Sequence, residues 1–143
     1  ISDRQLKDVI TLESGDAENL RFDEGTFDAV TVAFGVRNFE DLDKGLQEQY
    51  RVLTPGGIAV ILEFSNPKKF PVKQVYNFYF HNILPLAGRI ISKDRSAYTY
   101  LPESVNAFPD GPDFLKHMHA AGFRDTAARQ LTLGIASIYT GRK

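Results

Sequence analysis

The sequence has no cysteine. Disulfides, zinc–thiolate centres and cysteine nucleophiles are thereby excluded. It also lacks an excess of either charge: 17 Lys and Arg stand against 18 Asp and Glu, a net charge of -1. No global basic field exists to hold nucleic acid or an anionic membrane, so a nucleic-acid partner is not expected. No apolar run approaches the roughly 20 residues that a membrane-spanning helix needs. No signal peptide is recognisable, which makes the cytoplasm the expected compartment. Histidine is scarce, with only His81, His117 and His119. The last two are two positions apart and do not share a helical face as i, i+4 ligands would, so no metal site is expected. A starting Met is missing too: the first residue is Ile1, and a fragment or cleaved product is the expectation.

What remains is an ordinary globular composition in 143 residues, with 43% hydrophobic and 24% charged residues. That is about one domain. Residues 8–14 read as a strand carrying Val9, Ile10 and Leu12. Residues 15–26 are polar and turn-rich. Residues 27–36 form a near-continuous apolar run that suits a strand buried on both faces of a parallel sheet. A helix is expected over about 40–53, with Leu42, Leu46, Tyr50 and Leu53 near one face. Thr54-Pro55-Gly56-Gly57 stops it, and 58–64 is a second buried strand. Together these make a βαβ unit.

Residues 71–84 read as the clearest amphipathic helix. Val72, Val75, Tyr76, Tyr79, Phe80, Ile83 and Leu84 lie at helical spacing, bracketed by Pro71 and Pro85. Residues 92–109 look irregular. Asp110-Gly111-Pro112 opens a further helix with Phe114, Leu115 and Met118 on its buried side, and Ala121-Gly122 closes it. The tail reads as a hairpin, 123–131 and 135–141, around Gly134. The fold class is therefore α/β: a mostly parallel sheet that ends in an antiparallel hairpin, with a helical insertion at about 67–104.

A βαβ unit alone assigns no function. Particular phrases narrow it. Gly15-Asp16-Ala17-Glu18 follows a strand, Phe27-Asp28 opens the next, and R-V-L-T-P-G-G at 51–57 precedes L-E-F-S at 62–65. This set resembles the class I S-adenosylmethionine-dependent (SAM-dependent) methyltransferases, whose sheet is Rossmann-like. Narrower phrases are Phe34-Gly35-Val36-Arg37-Asn38, Y-N-F-Y-F-H-N-I-L-P at 76–85, Tyr98-x-Tyr100-Leu101-x-Glu103-Ser104 and Ala121-Gly122-Phe123. With them the chain, from about residue 8 to its end, resembles the quinone-biosynthesis C-methyltransferases. These methylate demethylmenaquinol or the polyprenyl methoxy-benzoquinol precursor of ubiquinone.

The resemblance implies SAM as cofactor, a polyprenylated quinol as substrate, and this chain as the C-terminal part, 1–143, of one methyltransferase domain. The family's Gly-rich turn for the methionine portion and its ribose-binding acidic residue would lie upstream. The chain alone is then expected to be inactive. Asp16 and Ala17 would meet the adenine, by a carboxylate and a backbone N–H at the carboxyl end of a strand. The plainer alternative is a solvated turn. Ala33, Phe34 and Gly35 would line the same rim, where small residues let the backbone come close to a ligand; any strand end also favours them.

Arg37 and Asn38 are the catalytic candidates. A quinol ring carbon becomes nucleophilic as its hydroxyl loses a proton. An always-charged Arg is a poor base, but it can stabilise the developing phenolate or orient a water. The alternative pairs Arg37 with a surface carboxylate and makes Asn38 the cap of the 40–53 helix. Tyr76, Tyr79 and His81 would wall the quinol or accept its proton, although an aromatic stripe is most often core. Lys68, Lys69 and Lys73 are a solvated face, or a contact with anionic lipid heads at the inner face of a membrane.

Two other functions stay open: a methyltransferase for another small substrate, and a non-catalytic prenyl-binding or dimerisation module. The strand at 27–36 would present a free apolar edge, so a homo-oligomer or a strand-exchanged dimer is expected.

Overall fold

The computed structural model describes residues 9–79, 82 and 103–143. Its elements are β1 (Phe27–Ala33), α1 (Leu42–Val52), β2 (Leu53–Phe64), α2 (Val72–Phe78), α3 (Pro112–Ala120), β3 (Arg124–Leu131) and β4 (Ala136–Arg142). The strands form one sheet in the order β1-β2-β4-β3. β1 and β2 are parallel and joined through α1; β2 pairs antiparallel with β4, and β4 with β3. The sheet is thus mixed, with one parallel pairing among the described strands where a mostly parallel sheet was expected.

Alternation along the strands sorts the two faces. Ala59 and Ile61 of β2 and Tyr139 of β4 are buried together with Leu46 of α1, Phe114 and Met118 of α3, Phe108 and Phe123. Val30 and Val32 of β1 pack against this core, while Ala29, Thr31 and Ala33 are exposed. β1 is therefore covered on one face, not both: its apolar run reflects β-propensity as much as burial. The Tyr139 hydroxyl accepts from the Gly111 N–H at 2.8 Å, tying the start of α3 to the sheet.

α1 begins where Asp41 accepts from the Lys44 N–H at 3.0 Å, which rules out the alternative in which Asn38 caps it. A carboxylate three residues before a bare N–H has the required reach, and Asn38 lies too far upstream. The helix ends at Val52, and Leu53 is already in the ladder opposite Phe27. Thr54–Gly57 bulges out before pairing resumes at Ala29 and Ile58. Gly57 is needed there, since an added Cβ would lie 2.9 Å from the Thr54 carbonyl and 3.1 Å from that of Asp28.

Three further expectations change. Residues 9–14 form no strand, and Val9 and Leu12 are 76% and 78% exposed. A β-run becomes a strand only beside a partner, and no described strand pairs with this one. Residues 103–107 are helical, not irregular; 92–102 lie outside the described residues. In α2 only Tyr76 is buried; Val75, Phe78 and Tyr79 are 66%, 60% and 44% exposed. The amphipathic spacing is real, but its apolar stripe is not core. Phe80, His81, Ile83 and Leu84 lie outside the described residues.

Candidate functional site

The carboxyl ends of β1 and β2 lie side by side, because the two strands are parallel. Loops at such ends are where open α/β sheets take ligands. β1 leads into Phe34, Gly35 and a tight turn over Val36–Asn38. Phe34 adopts φ 54°, a left-handed conformation that a bulky side chain avoids. It is held there by its N–H donating to the Leu62 carbonyl at 2.8 Å and by its ring lying 4.5 Å from that of Phe64. Gly35 has φ -124°, which any residue adopts, so the unusual backbone sits on Phe34. That departs from the small-residue reading of Ala33–Gly35. Such strain persists where the surroundings over-determine it, often at ligand sites.

The Asp16–Glu18 loop is brought to this turn by two latches. Glu18 Oε1 accepts from the backbone N–H groups of Glu40 (2.6 Å) and Asp41 (3.0 Å). Further along, Arg51 donates to the carbonyls of Leu20 (2.9 Å) and Phe22 (2.8 Å), while Glu48 accepts from the Leu20 N–H at 2.8 Å. Arg51 and Glu48 also pair with each other at 2.7 Å. The Arg51 guanidinium holds the Glu48 carboxyl below the usual carboxylate range. Asp16 Oδ1 accepts from the Glu18 N–H at 2.9 Å, so Asp16 both makes the turn and keeps an exposed carboxylate.

Two hollows result. One, of about 380 Å³, is walled by Gly15, Asp16, Ala17, Glu18, Asn38, Phe39 and Glu40. The other, of about 410 Å³, has Arg37, Phe39, Glu40, Glu103, Ser104 and Phe108 in its wall. They meet at Phe39 and Glu40. The Phe39 ring packs against α1 at Gly45, where an added Cβ would come within 2.3 Å of it. The structure thus brings Asp16, Ala17 and Asn38 together, and sets Arg37 next door. A larger hollow of about 640 Å³, lined by residues from Thr11 to Phe27, shares Gly15 and Ala17 with the smaller one.

Arg37 does not pair with a surface carboxylate. Its Nη1 donates to Glu63 Oε1 at 2.7 Å, and Glu63 is fully buried. Glu63 was not among the candidates. Its signal was present: a carboxylate on the buried parity of the apolar run I-A-V-I-L-E-F. Tyr76 and Tyr79 lie on α2 and the turn after it, and do not share the wall of the smaller hollow. Burial pushes the Tyr76 phenol up to about 12, so at neutral pH it is a protonated hydroxyl and not a base. His117 and His119 are engaged elsewhere, with Asp43 at 2.6 Å and Thr126 at 2.8 Å. Among the described residues no three acidic or imidazole groups cluster as metal ligands, and no helix is long and apolar enough to cross a membrane.

An exposed carboxylate (Asp16) and an amide side chain (Asn38) stand at the rim of the smaller hollow, beside the parallel strand ends, donors and acceptors of the kind that a nucleoside needs. Solved structures agree on the fold. A SAM-dependent methyltransferase from Thermotoga maritima superposes with a TM-score of 0.67 at 20% identity, covering 99% of this chain and 70% of that one. One from Aquifex aeolicus gives 0.62 at 16% identity, over 99% and 58%. The fold is that of the class I SAM-dependent methyltransferases. Within that class, residues 2–143 match the ubiE/COQ5 methyltransferase family, and the chain belongs to it. Relatives include the demethylmenaquinone methyltransferase of Bacteroides fragilis, 47% identical over 96% of this chain and 56% of that protein. The ubiquinone/menaquinone biosynthesis C-methyltransferase UbiE of Geobacter sulfurreducens is 52% identical over 94% and 52%. The chain thus spans just over half the length of these relatives.

Proposed function

We propose that this chain carries the adenine rim and the substrate-side cavity of an enzyme that methylates a ring carbon of demethylmenaquinol or a polyprenyl-benzoquinol. The observation that carries this reading is the pair of hollows meeting at Phe39 and Glu40, one edged by Asp16, Ala17 and Asn38, the other by Arg37. SAM, when bound, supplies an electrophilic methyl group. Asp16 accepts from the adenine amine, Ala17 donates its N–H to the ring, and Ala33, Phe34 and Gly35 border the adenosine. Arg37 donates to the quinol oxygen as negative charge develops on it, and Asn38 holds the quinol or the adjoining turn. Apolar walls from Phe39 and Phe108 keep water from the ring. Tyr76, Tyr79 and His81 serve the substrate's approach.

The prenyl tail implies contact with a membrane surface. Phe70 and Phe78 are 82% and 60% exposed beside the exposed Lys69 and Lys73, an apolar-basic mix suited to anionic headgroups. Lys68 is drawn off to Asp110 at 3.2 Å. The reading is of a cytoplasmic protein working at that surface; the 143-residue chain taken alone self-associates through the edge of β1.

The test is product analysis by mass spectrometry. The full-length natural protein is incubated with trideuteromethyl-SAM and demethylmenaquinol in detergent micelles. One labelled methyl on the ring is expected. Label on oxygen, or none, contradicts the reading.

A further inference from the structure

Glu63 sits within β2 on the face that carries Ala59 and Ile61 into the core, and it is 0% exposed. A carboxylate buried alone would cost several kcal/mol, so it needs partners. Its Oε1 accepts from Arg37 Nη1 at 2.7 Å and from the Phe64 N–H at 2.9 Å; Oε2 accepts from the Arg37 N–H at 3.3 Å. Arg37 Nη1 also donates to the Phe34 carbonyl at 2.7 Å. The guanidinium lies 5.3 Å from the centre of the Phe64 ring. Its orientation is thus set from three sides. The Arg37 side chain keeps 11% exposure and lines the 410 Å³ hollow. Its Nε has no hydrogen-bond partner among the described residues.

We infer that Glu63 is a positioning residue for Arg37, and that it balances the charge Arg37 presents to the hollow. The inference rests on the reading of Arg37 as the group that faces a phenol. It adds that the phenol meets a clamped, nearly neutralised guanidinium. Such a group directs a hydrogen bond to the oxygen without forcing ionisation of the free hydroxyl. Glu63→Gln keeps the volume and an acceptor oxygen but leaves the Arg37 charge unbalanced. A phenol in the hollow then gives its proton to water at lower pH. Among the described residues, the other titratable groups facing this region are Glu40 and Glu103 in the hollow's wall, and Tyr139 on β4, which feels both Glu63 and Asp110. Glu40 and Glu103 keep their charges in the variant and Tyr139, raised by burial and by Glu63, stays a neutral hydroxyl near neutral pH, so the difference reports on the Glu63 charge.

The probe is 4-nitrophenol, whose phenolate is coloured, titrated in the full-length natural protein, in Glu63→Gln and in Arg37→Gln/Glu63→Gln. The apparent pKa of the bound probe should fall by about one pH unit or more in Glu63→Gln, the size expected of one unscreened charge a few ångströms away. It should return in the double variant. A folded Glu63→Gln with an unmoved probe overturns the inference, and so does failure of the probe to bind the natural protein. A second measurement needs no variant: separate Nη proton signals for Arg37 by NMR at neutral pH are expected of a clamped guanidinium, and a single averaged signal overturns it. The probe shift without ring methylation would remove the proposed function and leave this inference standing; methylation without the shift would do the reverse.

Discussion

Arg51 opens the R-V-L-T-P-G-G phrase, and its guanidinium is directed to the carbonyls of residues 20 and 22, away from both hollows. With Glu48 it holds the segment that follows the Asp16–Glu18 loop. The Glu48 carboxyl is held low chiefly by its bond to Arg51. A carboxyl lowered in the fold contributes stability above its unfolded pKa and loses it as pH falls through the folded value. The melting temperature should therefore be level near neutral pH and decline in the acid range below about 4.5, the ordinary Glu value. Glu48→Gln should flatten part of that decline in thermal melts taken across pH; an unchanged slope would sink this assignment. Asp113, lowered by Lys116, contributes in the same direction and keeps the variant from being wholly flat.

The elements carry a second pair of expectations. Glycine inside a helix normally costs about 1 kcal/mol against alanine. Gly45 in α1 reverses this, since its missing Cβ is where the Phe39 ring lies. Gly45→Ala should destabilise by about 1–3 kcal/mol, the usual range for overpacking, as read by urea unfolding. It should also displace the wall shared by the two hollows; a more stable variant would contradict the packing. Tyr139→Phe removes the acceptor for the Gly111 N–H and should cost about 1 kcal/mol by the same assay.

At this scale the sequence was legible where one local rule decided. The hairpin around Gly134 and the helix after Asp110-Gly111-Pro112 stand where turn chemistry put them. Residues 9–14 of the strand expected at 8–14 are not in a strand, and the apolar stripe of α2 is largely exposed, because both depend on what lies opposite, which periodicity does not encode. The site was legible in part. The proximity of Asp16 to Asn38 follows from the strand–loop order, but the latch through Glu18 and the burial of Glu63 arise from residues 22 and 26 positions apart.

At the scale of the whole molecule, the described residues cover one face of the sheet and leave the other half open, with β1 at an edge of the described strands. An edge strand with unpaired backbone groups is a template for a second copy. The 143-residue chain should show concentration-dependent association in sedimentation velocity, and a monomer at every concentration would contradict the use of that edge. Net charge near zero offers little repulsion against it. The same architecture sets the parallel strand ends beside two hollows of similar size, and the proposed function assigns one to the adenine and the other to the quinol. One measurement tests that claim most directly: calorimetric titration of S-adenosylhomocysteine into the full-length natural protein and its Asp16→Ala variant. The account predicts binding that weakens about tenfold or more in the variant, on the order of 1.4 kcal/mol for the lost acceptor. Equal affinity in the two proteins would mean that the Asp16 rim is a solvated turn and that the adenine lies elsewhere.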